Sequence, residues 1–227
     1  MTPAGNKTWL WWSSGKDSTW ALHRLRAEGR YAVDALVTSF NVEADRVAMH
    51  AVRSQLVRAQ ANALDLPLRT IELPYPCPNG AYEEAAARLV ADAEREGVTH
   101  MAFGDLYLED VRAYRESLLA SSPIEPIFPL WGIDTGALSR TMVDGGVVAH
   151  VTCVDPRVLD PSFAGRTYDH AFLEALPDTV DPCGEGGEFH TFVSDGPGFA
   201  HPVGVAAGEV VRRDGFVFAD LVSNGSA

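Results

Sequence analysis

Trp9-Leu10-Trp11-Trp12-Ser13-Ser14-Gly15-Lys16-Asp17-Ser18-Thr19-Trp20 is the stretch on which the fold of this chain turns. The apolar run Trp9 to Trp12 gives way to small polar residues, and a helical pattern follows with Trp20, Ala21 and Leu25 up to Glu28. The order is strand, loop, helix. Where a strand feeds a helix in this way, the N–H groups of the first helical turn have no intrahelical partner, and anions bind there readily. Gly15 permits a conformation or a close approach that a Cβ would obstruct, and Lys16 adds a mobile positive charge. Ser13, Ser14 and Ser18 complete the turn, with Ser13 or Ser18 able to donate hydroxyl hydrogen bonds to phosphate oxygens. Asp17 either caps the helix or holds Mg²⁺. No glycine stands five residues before Gly15, so the loop is not the Walker pattern and a kinase or motor GTPase is disfavoured.

Working outward, Val33 to Ser39 reads as a second strand, and from Asp45 a helix places Val52, Leu56, Ala59 and Ala63 on one face. Leu68 to Leu73 is a third strand, followed by a turn at Pro74 to Pro78 and an amphipathic helix carrying Tyr82, Ala85, Ala86, Leu89 and Ala93. His100 to Phe103, a helix from Val111 to Leu119, Ile124 to Phe128, a helix from Thr135 to Asp144 and apolar Val147 to Val154 continue the alternation. Alternating strands and helices predict a mostly parallel sheet of five strands with helices on both faces, because parallel neighbours need crossover connections. The expected fold class is therefore α/β and doubly wound, in the order 3-2-1-4-5. Ligands in such sheets bind beyond the carboxyl ends of the strands where the order reverses, which is where the Ser13–Ser18 loop falls. After Asp155-Pro156 the composition shifts toward Gly, Pro and Asp, with a helix at Tyr168 to Leu176 and a hairpin of Val203 to Val211 and Phe216 to Leu221 about Arg213-Asp214-Gly215. Residues 1–154 are read as the nucleotide-binding domain, and 155–227 as a smaller α+β region packed on its sheet.

Bulk composition narrows the function. At 227 residues and 46% hydrophobic the chain can bury a substantial core. A formal net charge of −13 argues against general nucleic-acid binding, so any phosphate must be held by local amides and a few cations. No apolar run approaches the roughly 20 residues a membrane helix needs, and no secretory leader opens the chain, so no membrane association and a cytoplasmic location are expected. Cys77, Cys153 and Cys183 are too widely spaced for a zinc site and are read as free thiols.

The loop Ser13 to Ser18 resembles the S-G-G-K-D-S loop of the PP-loop, N-type ATP pyrophosphatases, with Ser14 standing where that loop usually has its first glycine. Asp181-Pro-Cys-Gly-Glu-Gly-Gly-Glu-Phe-His-Thr-Phe-Val193 contains a segment similar to the G-E-x-G-E-[FY]-x-T signature of the diphthine–ammonia ligase family. Between them, Met49-His50-Ala51-Val52-Arg53, Gln60-Ala61, Gly104-Asp105-Leu106 and Pro129-Leu130-Trp131-Gly132 fall in the order of that family. Together these segments span nearly the whole chain. The resemblance implies the HUP-like form of the doubly wound sheet shared by adenine nucleotide alpha hydrolases.

It also implies amide formation: a carboxylate is adenylated by ATP with release of pyrophosphate, and ammonia then displaces AMP. Expected partners are ATP, Mg²⁺, ammonia and a carboxylate acceptor; helix faces in such folds often pair, which leaves room for a homodimer. The loop amides and Lys16 would stabilise the leaving pyrophosphate. Asp105, after Gly104 at the end of the fourth strand, would ligate Mg²⁺ or cap a helix. Arg46, His50 and Arg53, spaced i, i+4, i+7, would form a polar stripe on the second helix, and the resemblance assigns His50 and Arg53 to the nucleotide. Arg112, Arg115 and Glu116 would meet substrate or form surface ion pairs. Glu185, Glu188 and His190 lie in a glycine-rich segment read as irregular. Its two carboxylates would hold ammonium or a cationic group, with His190 as proton acceptor. Cys183 is left structural, since ATP activation needs no thiol. A different adenylated acceptor, or a nucleotide sensor without turnover, stand as alternatives.

Overall fold

The computed structural model describes residues 5–41, 46–47, 52–74 and 77–224. Its first sheet contains β1 (Asn6–Trp11), β2 (Tyr31–Asn41), β3 (Arg46–Val47), β4 (Leu68–Leu73), β5 (His100–Ala102) and β6 (Glu125–Ile127). β1 pairs in parallel with β2 and β5, β2 with β4, and β5 with β6. The spatial order β4-β2-β1-β5-β6 is the expected 3-2-1-4-5, and the reversal falls at β1. β3 is an addition, antiparallel to β2 through Phe40↔Val47 and Asn41↔Arg46. Because β4 occupies one edge of β2 at those residues, β3 must lie on the other, in line beyond the end of β1.

Both faces of this sheet are covered, and the side chains show it by alternation. Trp9 and Val37 enter one core with Leu89, Val90, Ala93 and Leu119, which come from α3 (Asn79–Arg95) and α4 (Glu109–Leu119). Leu10, Trp12 and Leu36 enter the other, with Leu22 and Leu25 of α1 (Lys16–Glu28) and Leu56 and Val57 of α2 (Ser54–Ala63). A strand buried on both faces is continuously apolar, which is why Trp9 to Trp12 carries no polar residue.

The second of these cores continues into a five-stranded antiparallel sheet. After α5 (Thr135–Asp144) comes β7 (Val148–Val154), which pairs with β8 (Thr167–Tyr168), β9 (Phe189–Asp195) and β11 (Phe216–Ser223). A short helix, α6 (His170–Ala175), follows β8, and β10 (Val205–Arg213) closes the sheet as a hairpin with β11. The hairpin turn is Asp214-Gly215 with φ of 52 and 85, the paired positive φ that two-residue hairpins favour. Phe172, Phe189, Phe192 and Tyr168 share one cluster with Leu10 and Trp12, so the aromatic residues of the C-terminal region pack under the first sheet.

Two local expectations are corrected. The second helix does not begin near Asp45: Arg46 and Val47 are β-paired, Arg53 is an extended N-cap, and the helix runs from Ser54. Val47 N–H bonds Val52 O, and Arg46 bridges Arg53, so the backbone is satisfied by a turn back on itself. The 3.6-residue spacing of Arg46 and Arg53 therefore marks no common helical face. The segment from Glu185 to His190 is also more regular than expected, since Phe189 and His190 begin β9 and pair with Val154 and Cys153.

Candidate active site

The turn between β1 and α1 is built so that the helix end stays open. The N-cap, Gly15, makes no side-chain cap bond. Lys16 N–H is bonded to Thr191 Oγ1 at 3.2 Å, tying the loop to β9. Ser13 Oγ takes Gly15 N–H at 3.3 Å and contacts Ser18 Oγ at 3.2 Å. Gly104, just past β5, backs directly onto this helix end: a Cβ there would come within 3.1 Å of Ser18 N and 3.2 Å of Asp17 C. Without a side chain, Gly104 approaches the Asp17–Ser18 peptide more closely than any other residue could, so the end of β5 and the start of α1 meet at the cavity they both line.

Ser14 is the residue that turns the chain, at φ 71, in the left-handed region that normally selects glycine. Its carbonyl accepts from Val193 N–H and from Gln60 Nε2, both at 3.0 Å. Gln60 is fully buried, accepts from Trp12 Nε1 at 2.8 Å and donates to Val193 O at 2.6 Å. One amide side chain on α2 thus fixes the phosphate loop against β9. The sequence pointed to Gln60 only through its place in a family pattern. Ser14 Oγ is buried with no partner among the described residues.

Lys16 is 2% exposed. Its ammonium sits between the Tyr168 and Phe189 rings, 5.6 and 5.5 Å from their centroids. It donates to both Asp17 oxygens, at 3.0 and 2.8 Å, and to the Cys183 carbonyl. Burial alone would depress this lysine, but Asp17 and the neighbouring acidic groups outweigh it and hold the ammonium charged above its ordinary range.

A cavity of about 190 Å³ opens over the loop, lined by Ser13, Gly15, Lys16, Asp17 and Ser18 on one side, by Asp105 and Arg115 on another, and by Glu185 and His190 opposite. The expected site residues from three distant parts of the chain therefore meet. Asp105 is not a helix cap: α4 starts at Glu109 with Leu108 as N-cap, and Asp105 accepts from Arg115 Nε at 3.3 Å. Glu185 Oε1 accepts from Leu106 N–H at 2.7 Å and Tyr107 N–H at 3.4 Å. Burial, together with the charges of Asp17 and Asp105, pushes its carboxyl up to about 7. His190 moves the opposite way, down to about 4, because burial and Lys16 both disfavour the imidazolium. The expected proton acceptor is thus a weak base, and it is Glu185 that has an affinity for a proton near neutral pH. Burial pushes the Cys183 thiol up to about 12, which suits no nucleophile.

Glu188 stands behind the cavity wall. Its Oε1 accepts from Asp181 N–H at 3.3 Å, its Oε2 is buried without a partner among the described residues, and its carbonyl accepts from Asp155 N–H. Asp181, which the sequence did not single out, organises the same loop by accepting from Glu185 N–H at 2.9 Å and from Cys183 N–H at 3.4 Å. His50 lies outside the described residues. Arg53 does not line the cavity; with Arg46 it binds Asp220 of β11, at 2.5 and 2.8 Å. Among the described residues no group of three or more His, Cys, Asp or Glu forms a metal site. Asp17 and Asp105 both line the cavity, and each is paired with a cation, Lys16 and Arg115 respectively.

Two family models cover this architecture. The diphthamide synthase N-terminal domain matches residues 6–124, which hold the first sheet and the phosphate loop, and the diphthamide synthase C-terminal domain matches 134–219. The chain belongs to the diphthamide synthase family. It is 28% identical over 230 residues to the diphthine–ammonia ligase of Homo sapiens, covering 92% of this chain and 86% of that protein. The diphthine–ammonia ligases of Rattus norvegicus and Danio rerio are also 28% identical, over 233 and 230 residues, each covering 92% of this chain. The family read from Ser13–Ser18 and Asp181–Val193 is the one these matches give. Among the described residues no helix is long and apolar enough to cross a membrane.

Proposed function

We propose that this protein is an ATP-dependent amide ligase that adenylates a carboxylate and passes the acyl group to ammonia. The observation that carries the reading is the start of α1, with Lys16, Asp17 and Ser18, facing Glu185 across one cavity, and the close approach of Gly104 to Ser18 that brings Asp105 to the same cavity. The cavity is smaller than the roughly 300–1,000 Å³ of a cleft for a whole ligand, so it suits the phosphate end of a nucleotide.

In this reading an acceptor carboxylate oxygen attacks the α-phosphorus, the bond from that phosphorus to the bridging oxygen breaks, and pyrophosphate leaves. Negative charge grows on the leaving fragment, where the helix amides and Lys16 oppose it. Asp17 or Asp105 would hold a Mg²⁺ ion beside the phosphates, and such an ion would add further charge neutralisation. Ammonium then gives a proton to Glu185, and the free ammonia attacks the acyl carbon and expels AMP. A carboxylate titrating near neutral pH among acidic neighbours both attracts the cation and accepts its proton. Glu188 and Asp181 shape the loop that presents it. His190, neutral beside Lys16, accepts or donates hydrogen bonds rather than shuttling charge. We assign His50 and Arg53 to the nucleotide, as the family resemblance implies; Asp220 holds Arg53 together with Arg46.

The relatives' name supplies the acceptor to test first, diphthine, which the family resemblance places on a translation elongation factor. The protein is incubated with ATP, Mg²⁺, ammonium and diphthine-bearing factor. AMP and pyrophosphate in equal amounts with acceptor amidation are expected. ADP as product, or tight ATP binding with no product at all, would remove the ligase assignment.

A further inference from the structure

The carboxyl ends of β1, β5 and β6 are paved with aromatic rings. Trp11 and Phe103 stack at 5.9 Å, Phe103 and Phe128 at 5.6 Å, and Trp131 meets Phe128 edge-on at 5.8 Å. Two arginines one helical turn apart on α4 lie over this row. Arg115 covers Trp11 and Phe103, at 5.6 and 5.2 Å, and Arg112 covers Phe128 and Trp131, at 4.9 and 4.8 Å. Each has its Nε tied by an acid: Asp105 for Arg115, Glu116 at 2.8 Å for Arg112. The guanidinium planes are thereby fixed.

The two differ in what remains. Arg115 also bonds the Tyr82 hydroxyl and is only 20% exposed. Arg112 is 38% exposed, and among the described residues its Nη groups have no partner. An arginine laid on two rings with Nε already held presents its remaining donors in fixed geometry, and little side-chain freedom is lost when a carboxylate binds them. Across the cavity the walls are acidic, with Asp17 and Glu185 lining it in a chain of net charge −13. An anionic substrate is repelled from that side and attracted to this one.

We propose that Arg112, on the Phe128–Trp131 shelf, is the subsite that receives the acceptor's carboxylate, with the exposed ring edges taking a flat or apolar stem. That the carboxylate belongs to an acceptor for adenylation rests on the ligase reading; that the shelf binds carboxylates does not. The row leads from Trp131 past Phe103 to Trp11, which lines the phosphate cavity beside Ser13, so a carboxylate handed along it reaches the loop from the β5–β6 side.

The test uses 3-phenylpropionate as probe and its uncharged amide, 3-phenylpropanamide, as control, read by tryptophan fluorescence of the full chain. The wild-type protein should bind the acid saturably and at least tenfold more tightly than the amide. Arg112→Ala should abolish that preference, while Arg112→Lys, which keeps the charge but loses the fork, should retain a small part of it. Equal binding of acid and amide, or an Arg112→Ala protein that binds like wild type, overturns the proposal. In the amidation assay Arg112→Ala should raise the acceptor KM more than tenfold and leave the ATP KM within about twofold; an unchanged acceptor KM overturns it also. A wild-type protein that prefers the acid yet forms no AMP would remove the ligase reading and leave the carboxylate site standing.

Discussion

Lys16 Nζ donates to the backbone carbonyl of Cys183, so the cation of the phosphate loop is also the anchor of the glycine-rich segment that carries Glu185. Ion pairing to Asp17 and enclosure by Tyr168 and Phe189 complete a buried setting that joins the two halves of the site.

Lys16 is buried between two rings, so it matters to folding as well as to rate. Lys16→Ala should lower stability by about 2 kcal/mol, since it leaves Asp17 without its cation and a void between two rings. Lys16→Met, which keeps the stem between the rings, should recover part of that loss. Both should lose AMP formation. Urea denaturation beside the activity assay reads the two effects separately, and a wild-type midpoint for Lys16→Ala would contradict the anchoring role.

Ser14 holds a left-handed conformation with a buried hydroxyl that has no partner among the described residues. Ser14→Gly should stabilise the protein by roughly 0.5–1 kcal/mol, because relief of the Cβ clash and of the unpaired hydroxyl exceeds the added freedom of the unfolded chain. Thermal denaturation tests it. A lower melting temperature would mean that the hydroxyl has a partner when the protein folds.

The Glu185 carboxyl, raised to about 7, favours its protonated form in the folded state. Stability from this group is therefore complete at acid pH, below the ordinary carboxylate range, and is lost as pH rises through about 7. Glu185→Gln should flatten that decline. Activity runs the other way: as a base, Glu185 must be ionised, so kcat/KM for ammonium should rise with pH toward a plateau above 7, and Glu185→Gln should lose the limb with most of the rate. An unaltered pH profile in the variant would exclude Glu185 as the group titrating.

Asp220 gathers Arg46 and Arg53 onto β11. Partial burial opposes its ionisation, but the two guanidinium groups prevail and hold its carboxyl down to about 2. The stabilisation is therefore present above the ordinary carboxylate range and is lost as pH falls through about 2. Asp220→Asn should cost about 1–2 kcal/mol at neutral pH, and that cost should shrink steadily as pH falls through about 2, where half of the native carboxyl is protonated. A cost that does not change with pH would show that the charge is not what holds the two arginines.

The sequence by itself determined the order of the parallel strands and the location of the phosphate loop. Those features rest on local patterns: a continuously apolar strand, an uncapped glycine helix start, amphipathic helices and the Asp214-Gly215 turn all act within a few residues. Thr135–Asp144 is a helix with the bounds its pattern suggests, and the first helix ends at Glu28 as its pattern does. The start of α2 was misread because Arg46 and Val47 satisfy their backbone by pairing with β2, a contact that side-chain spacing does not encode. Tertiary structure alone decided what each functional group is paired with. Lys16 meets Cys183, Arg53 meets Asp220, Gly104 backs onto Ser18, and Gln60 joins Ser14 to Val193, all through contacts between residues far apart in the chain. Burial and neighbouring charge, which separate Glu185 from His190 as bases, depend on those distant partners, so they exist only once the two sheets have packed.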